Sequence, residues 1–139
     1  MKWSALVPEL TVLDIEKSLA FYTDLLGFEV VYSRPETRFA YLGLGEAQLM
    51  LDQHAEGAGW GETGRLEPPL GRGINLQIEV ERLDPILERL AAANHPLFVR
   101  PEENWYRQDD ALHGNREFLV QDPDGYLLRF SEYLGTKPA

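Results

Sequence analysis

Apolar and polar residues alternate with two periods along this chain, and the order of those periods occurs twice. Residues 5–13, ALVPELTVL, change face at every step and predict a strand. Asp14 then stands as a helix cap ahead of Ile15, Leu19, Tyr22, Leu25 and Leu26, which recur at helical spacing. Gly27 fits the left-handed residue that closes a helix. Phe28 to Tyr32, Phe39 to Leu44 and Ala47 to Gln53 predict three more strands, the last two joined by a turn at Gly43 to Gly45. The order returns with GINLQIEV from residue 73. Asp84 reads as a second cap, with Pro85 at the first helical position. Leu83, Leu87, Leu90 and Ala91 mark an apolar helix face that stops at Asn94. Strands follow at 97–100, 116–121 and 126–132, and Asp122-Pro123-Asp124-Gly125 joins the last two as a tight turn. These elements predict an α+β chain, one domain over 1–139. It holds two βαβββ modules, about 5–53 and 73–134, and a linker over 54–72.

Alternation also separates the faces. Leu6, Leu10 and Val12 oppose Val7, Glu9 and Thr11; Ile74, Leu76 and Ile78 oppose Asn75, Gln77 and Glu79. Leu49 and Leu51 oppose Gln48, Met50 and Asp52, while Leu128 and Phe130 oppose Leu127, Arg129 and Ser131. One face of each sheet is apolar and packs on a helix. The other is mixed, so that two curled sheets enclose a polar-lined cleft, or else leave one face wetted by solvent. The linker and a second stretch, PEENWYRQDDALHGN over 101–115, read as long loops, and each carries a tryptophan. Trp60 and Trp105, with Tyr106 and Arg107, are candidates for ligand contact; plugs between the modules are the plainer alternative. Phe39 and Tyr41, alternating on one strand, divide in the same way between ligand contact and sheet packing.

Charge and composition narrow the chemistry. The 139 residues carry 13 Lys and Arg against 23 Asp and Glu, a net charge of −10. That balance argues against nucleic acid as a partner and favours a cationic small molecule. Cysteine is absent, which removes disulfides, thiol nucleophiles and thiolate metal sites. No apolar run approaches a membrane span, and no signal-peptide stretch follows Met1, so the expectation is a cytoplasmic protein without a membrane partner. Nucleophile-elbow and phosphate-loop patterns are missing as well.

Two stretches, VPELTVLDIEKSLAFYTDLLGF over 7–28 and REFLVQDPDGYLLRF over 116–130, resemble the vicinal oxygen chelate superfamily. Glyoxalase I, extradiol dioxygenases and bleomycin resistance proteins belong to it. Val7-Pro8, the run Arg116-Glu117-Phe118 before the turn, and the acidic balance are most similar to the bleomycin resistance branch. The resemblance implies two βαβββ modules whose curled mixed sheets enclose a cleft completed in a homodimer. It also places a divalent metal, in the enzymes, at four strand positions that here are Val7, Met50, Asn75 and Arg129. Valine has no donor, thioether and amide suit a hard cation poorly, and arginine repels it. No metal, no cofactor and no catalytic residue are therefore expected. A set of His54, His113, Asp52 and Glu117 is the remaining route to a metal. The resemblance further implies sequestration of a bleomycin-type drug, with its planar part stacked between aromatic rings. Phe39 falls at one stacking position, and Gly114 stands where a tryptophan is expected at the other.

The ligand is thus expected to be cationic or planar aromatic. It would contact Phe39, Tyr41, Gln48, Met50, Trp60, Asn75, Trp105, Tyr106, Arg107, His113, Glu117 and Arg129. The rival readings are a metal-dependent lyase or dioxygenase with unconventional ligands, and a non-catalytic binder of a natural product or metabolite.

Overall fold

Two four-stranded mixed sheets carry the repeated order in the computed structural model, which describes residues 2–55 and 61–139. The first half contributes β1 (Glu9–Val12), α1 (Ile15–Ala20), β2 (Glu29–Arg34), β3 (Phe39–Leu44) and β4 (Ala47–Gln53). The second contributes β5 (Asn75–Glu79), α2 (Asp84–Ala92), β6 (Val99–Gln108), β7 (Ala111–Gln121) and β8 (Leu127–Pro138). Strand orders are β1-β4-β3-β2 and β5-β8-β7-β6. In each sheet the first strand runs parallel to the last and the other neighbours run antiparallel. The chain divides into one unit of Met1–Leu70 with Asp122–Gly125, and another of Gly71–Gln121 with Tyr126–Ala139. Among the described residues no helix is long and apolar enough to cross a membrane.

In the first unit Asp14 caps α1, its carboxylate accepting from the N–H groups of Glu16 and Lys17 at 3.1 and 3.3 Å. The helix then widens into a π-helical turn over Phe21–Leu25. There the hydroxyl of Thr23 donates to the carbonyl of Leu19 at 2.7 Å, and the Leu26 N–H reaches back to Phe21. Gly27 follows with φ 88°, closed to most side chains. The first strand starts later than the alternation suggests, at Glu9 rather than residue 5. Pro8 has no N–H to give the ladder, although its carbonyl still accepts from Met50 at 2.9 Å. Leu10, Val12, Phe21, Tyr22, Leu26, Leu42, Leu49 and Leu51 form the core. The Asp122–Gly125 turn belongs to this unit. Tyr22 donates its buried hydroxyl to Asp122 at 2.8 Å, and the Leu13 N–H donates to Asp124 at 3.3 Å.

The second unit departs from expectation in two places. Residues 101–115 are not a loop. Nearly all of them belong to the long hairpin of β6 and β7, which turns at Asp109 and Asp110. Asp84 is not the cap of α2 either. It is already helical, Leu83 precedes it, and its carboxylate is held by Arg116 at 3.0 Å. The N–H of Leu83 is satisfied instead by Glu132, at 2.8 Å from β8. Leu83, Ile86 and Leu90 bury one face of α2, and Phe118, Val120, Leu128 and Phe130 are fully buried in the sheet. Phe118 and Phe130 stack with centroids 5.4 Å apart. Each such ring or leucine contributes about 1.5–3 kcal/mol by burial.

Candidate functional site

The mixed face of the first sheet is aromatic. β2 pairs Tyr32 with Tyr41 and Arg34 with Phe39, while β4 sets Met50 opposite Tyr41 and Gln48 opposite Gly43. Tyr32 stacks on Tyr41 at 5.2 Å with an interplanar angle of 16°. Trp3 meets Tyr41 edge-on at 5.1 Å and Tyr32 at 6.1 Å. The guanidinium of Arg34 sits 4.0 Å from the Phe39 ring centroid, close enough for a cation–π contact. Phe39 and Tyr41 are buried beneath these neighbours, whereas Tyr32 is 40% and Trp3 57% exposed. Residues before β1 are tied down by one amide. The Gln48 oxygen accepts from the Tyr41 hydroxyl and from the Ser4 N–H, and its nitrogen donates to the Lys2 carbonyl. A cavity of about 650 Å³ opens beside Trp3 and Gln48. Another of about 570 Å³, between the start of α1 and the β2–β3 connection, reaches the Phe39 ring.

The mixed face of the second sheet is polar and charged. Glu117 on β7 is only 3% exposed. One of its oxygens accepts from the Tyr106 hydroxyl at 2.5 Å and from the Asn104 amide at 3.3 Å; the other faces Arg129 Nε at 3.6 Å. Arg129 donates through its outer nitrogen to Gln77. The hydrogen bond to the Glu117 carboxylate, and then burial, push the Tyr106 phenol above its ordinary value, so it serves as a neutral donor. His113, opposite Tyr106 in register, lies 3.2 Å from the Tyr133 hydroxyl. Asn75 is exposed at the start of β5.

Alternation on β6 divides the three neighbours expected to act together. Tyr106 joins Glu117 and Arg129. Trp105 and Arg107 point to the opposite side, the one on which Phe118 and Val120 meet the core. Trp105 pairs with Gly114, and its ring lies directly on that glycine: an added Cβ there would sit 2.5 Å from the ring. Lys137 from β8 brings its ammonium within 4.0 Å of the ring centroid. Arg107 is exposed and donates to the Asp109 carbonyl at 3.2 Å. Trp60 lies outside the described residues.

Tyr32 and Trp3 were missed by sequence reasoning, which placed Gln77 on the mixed face without naming it as a contact. The parity of Tyr32 on β2 carries a signal, since it matches Tyr41 across the pair. Trp3 has no periodic context to reveal it.

The four strand positions that the resemblance assigns to a metal do not fit one. Val7 offers no donor and Met50 a thioether. Asn75 offers an amide, and Arg129 a guanidinium already engaged by Gln77 and Glu117. Among the described residues no group of three or more His, Cys, Asp or Glu could hold a metal ion. His54 instead pairs with Glu62 at 2.6 Å.

Comparison with known proteins agrees with this architecture. The family model of the Glyoxalase/Bleomycin resistance protein/Dioxygenase superfamily matches residues 6–130. Bleomycin resistance proteins of Geobacillus stearothermophilus and Staphylococcus aureus are each 29% identical over 137 residues, covering 92% of this chain and 96% of theirs. TioX from Micromonospora sp. ML1 superposes with a TM-score of 0.73 at 21% identity, over 95% of this chain and 100% of its own. The fosfomycin resistance protein FosX of Listeria monocytogenes gives 0.62 at 19% identity, over 96% and 94%. Both share the fold.

Proposed function

The chain belongs to the Glyoxalase/Bleomycin resistance protein/Dioxygenase superfamily, and from that premise we propose that it confers resistance by binding a small molecule rather than converting one. The ligand is a planar aromatic or cationic drug of the bleomycin type, held without a resident metal by a homodimer in the cytoplasm. The observation that carries this reading is the aromatic face of the first sheet. Four rings gather there, and two of them present area to a ligand. Planar groups stack on such rings for about 0.5–1.5 kcal/mol beyond their burial.

Two further observations support it. The positions expected to hold a metal carry a guanidinium, an amide, a thioether and an alkyl group. The net charge of −10 favours association with a cation. The test is titration of the full chain with bleomycin and with ethidium, followed by tryptophan fluorescence, alongside metal analysis of the purified protein. Saturable binding by metal-free protein supports the proposal. A stoichiometric divalent metal, or no binding of either compound, overturns it.

A further inference from the structure

The polar face of the second sheet contains a charge pair, the buried Glu117 and the partly exposed Arg129, in which not every polar atom has a hydrogen-bond partner among the described residues. The Glu117 oxygen toward Tyr106 has two donors, but the other has only Arg129 Nε, at a separation longer than a charge-assisted hydrogen bond. Among the described residues, Arg129 Nε is buried without a hydrogen-bond acceptor. Ser131 stands opposite Glu117 in the β7–β8 register, 1% exposed, and its hydroxyl has no partner among the described residues. Two buried polar atoms beside Glu117, Arg129 Nε and the Ser131 hydroxyl, therefore lack hydrogen bonds, an arrangement that costs free energy unless something completes it.

The geometry of Arg129 explains the shortfall. Its side chain is one-third exposed, and its outer nitrogen is held by Gln77, so only the inner Nε is left to face Glu117. A guanidinium satisfies a carboxylate best with two parallel N–H groups, which this anchoring prevents. A second carboxylate lies within its reach. Glu79 stands opposite Ser131 on β5, diagonal to Arg129 and exposed.

We propose that Arg129 is a resident stand-in for the ligand's own cation. An organic cation bearing N–H groups, of the amidinium or ammonium class, displaces it from Glu117. The ligand takes the under-satisfied Glu117 oxygen and the Ser131 hydroxyl, and the guanidinium moves outward to Gln77 and Glu79. Tyr106 and Asn104 hold the carboxylate in place throughout. This inference rests on the proposed function, since it names the recognition element for a cationic ligand at that site.

The test uses the full chain with two probes of nearly equal shape, 2-naphthamidine, a cation, and 2-naphthamide, which is neutral. The wild-type protein is expected to bind the amidine about tenfold more tightly, the worth of one good charged hydrogen bond. Glu117→Gln removes that preference. Arg129→Gln strengthens amidine binding by about a further tenfold and does not strengthen amide binding. Because losing Arg129 leaves a buried carboxylate without its cation, and folding is then at risk, a second readout uses the wild-type protein. The Arg129 Nε–H NMR signal, assigned with Arg129→Lys, shifts on saturation with the amidine and stays in place with the amide. A preference that survives Glu117→Gln, or an Arg129 signal that responds alike to both probes, overturns the proposal. Equal binding of the two probes sinks the stand-in role alone and leaves sequestration of planar ligands intact. Failure of both to bind the wild-type protein removes the sequestration reading and this inference together.

Discussion

In the first unit the mixed sheet face is built from rings: Tyr32 lies on Tyr41, Trp3 meets both edge-on, and Arg34 covers Phe39. In the second, strands of the same order and sense carry Glu117, Arg129, Gln77 and Tyr106 joined by hydrogen bonds. The cores behind the two faces are alike, with apolar strand residues packed on one short helix. The difference shows that the repeated module fixes only one side of each sheet. Residues of the other parity are left to chemistry, and here one half offers stacking surface while the other offers directed polar contacts.

The largest effect expected from this contrast is on the aromatic half. Replacing both exposed rings, Trp3→Ala with Tyr32→Ala, should weaken binding of a planar ligand roughly ten- to hundredfold, the loss of two stacking contacts. The unfolding midpoint should fall only modestly, by less than in Phe39→Ala, because the two rings are partly exposed although they cover Phe39 and Tyr41. Phe39→Ala differs. That ring is buried, so the protein should lose about 3–5 kcal/mol of stability in denaturant unfolding. If the double variant loses stability and keeps its affinity, the aromatic face is packing and not a binding surface.

In the polar half, Tyr106→Phe removes a donor from a buried carboxylate and should cost about 1–2 kcal/mol. Binding of a neutral planar ligand should be unchanged, since no stacking ring is touched. Gly114→Ala sharpens the distinction between the two sides of the second sheet. Its Cβ would force the Trp105 ring to move, so overpacking of up to about 1–3 kcal/mol and a shift in tryptophan emission are expected. An unchanged emission spectrum would show that Trp105 does not rest on that glycine in solution.

Much of the scaffold is legible in the sequence, and the reason is local. Asp14, Gly27 and the strand Ala47–Gln53 depend on near neighbours alone: a side chain two residues from its N–H partner, a backbone angle, an alternation of two. The two ends of the long hairpin, near 99–100 and 116–121, are legible, but its middle over 101–115 is not. Pro101, Asn104, Gly114 and Asn115 are poor strand formers, and what holds them is partners across the pair. Trp105 on Gly114 and Tyr106 on Glu117 are contacts that no window of sequence displays. Asp84 misleads for the same reason. A cap and an ion-pair partner are the same residue type, and Arg116 from β7 decides between them. Of the candidate site, the polar parity of Gln48, Met50, Asn75 and Arg129 is readable. That Phe39 and Tyr41 lie beneath Tyr32 and Trp3 is not.

The smallest predicted effects are on pH, and their signs are opposite in the two units. Burial raises the pKa of Asp124 in the first unit, ahead of the Leu13 N–H hydrogen bond that lowers it. The folded state then holds its proton more tightly than the unfolded chain. Asp124 accordingly favours folding at low pH, and that advantage is lost as pH rises through and just above the ordinary carboxylate range. Asp84 in the second unit is lowered, chiefly by its hydrogen bond from Arg116. Its contribution is present above the ordinary value and is lost as pH falls through the folded one. Denaturant unfolding across acidic pH should therefore show Asp124→Asn and Asp84→Asn changing the slope in opposite directions, each slightly. Slopes that change the same way would contradict this assignment.

The central claim, that the aromatic mixed face of the first sheet binds a planar molecule, is tested most directly by amide and side-chain NMR of the full chain during titration with bleomycin. The account predicts saturable shifts that include Trp3 and Tyr32, with α1 and α2 undisturbed. Saturation that moves only the helices, or spectra that stay unchanged at millimolar bleomycin (about −4 kcal/mol of binding at most), would contradict it.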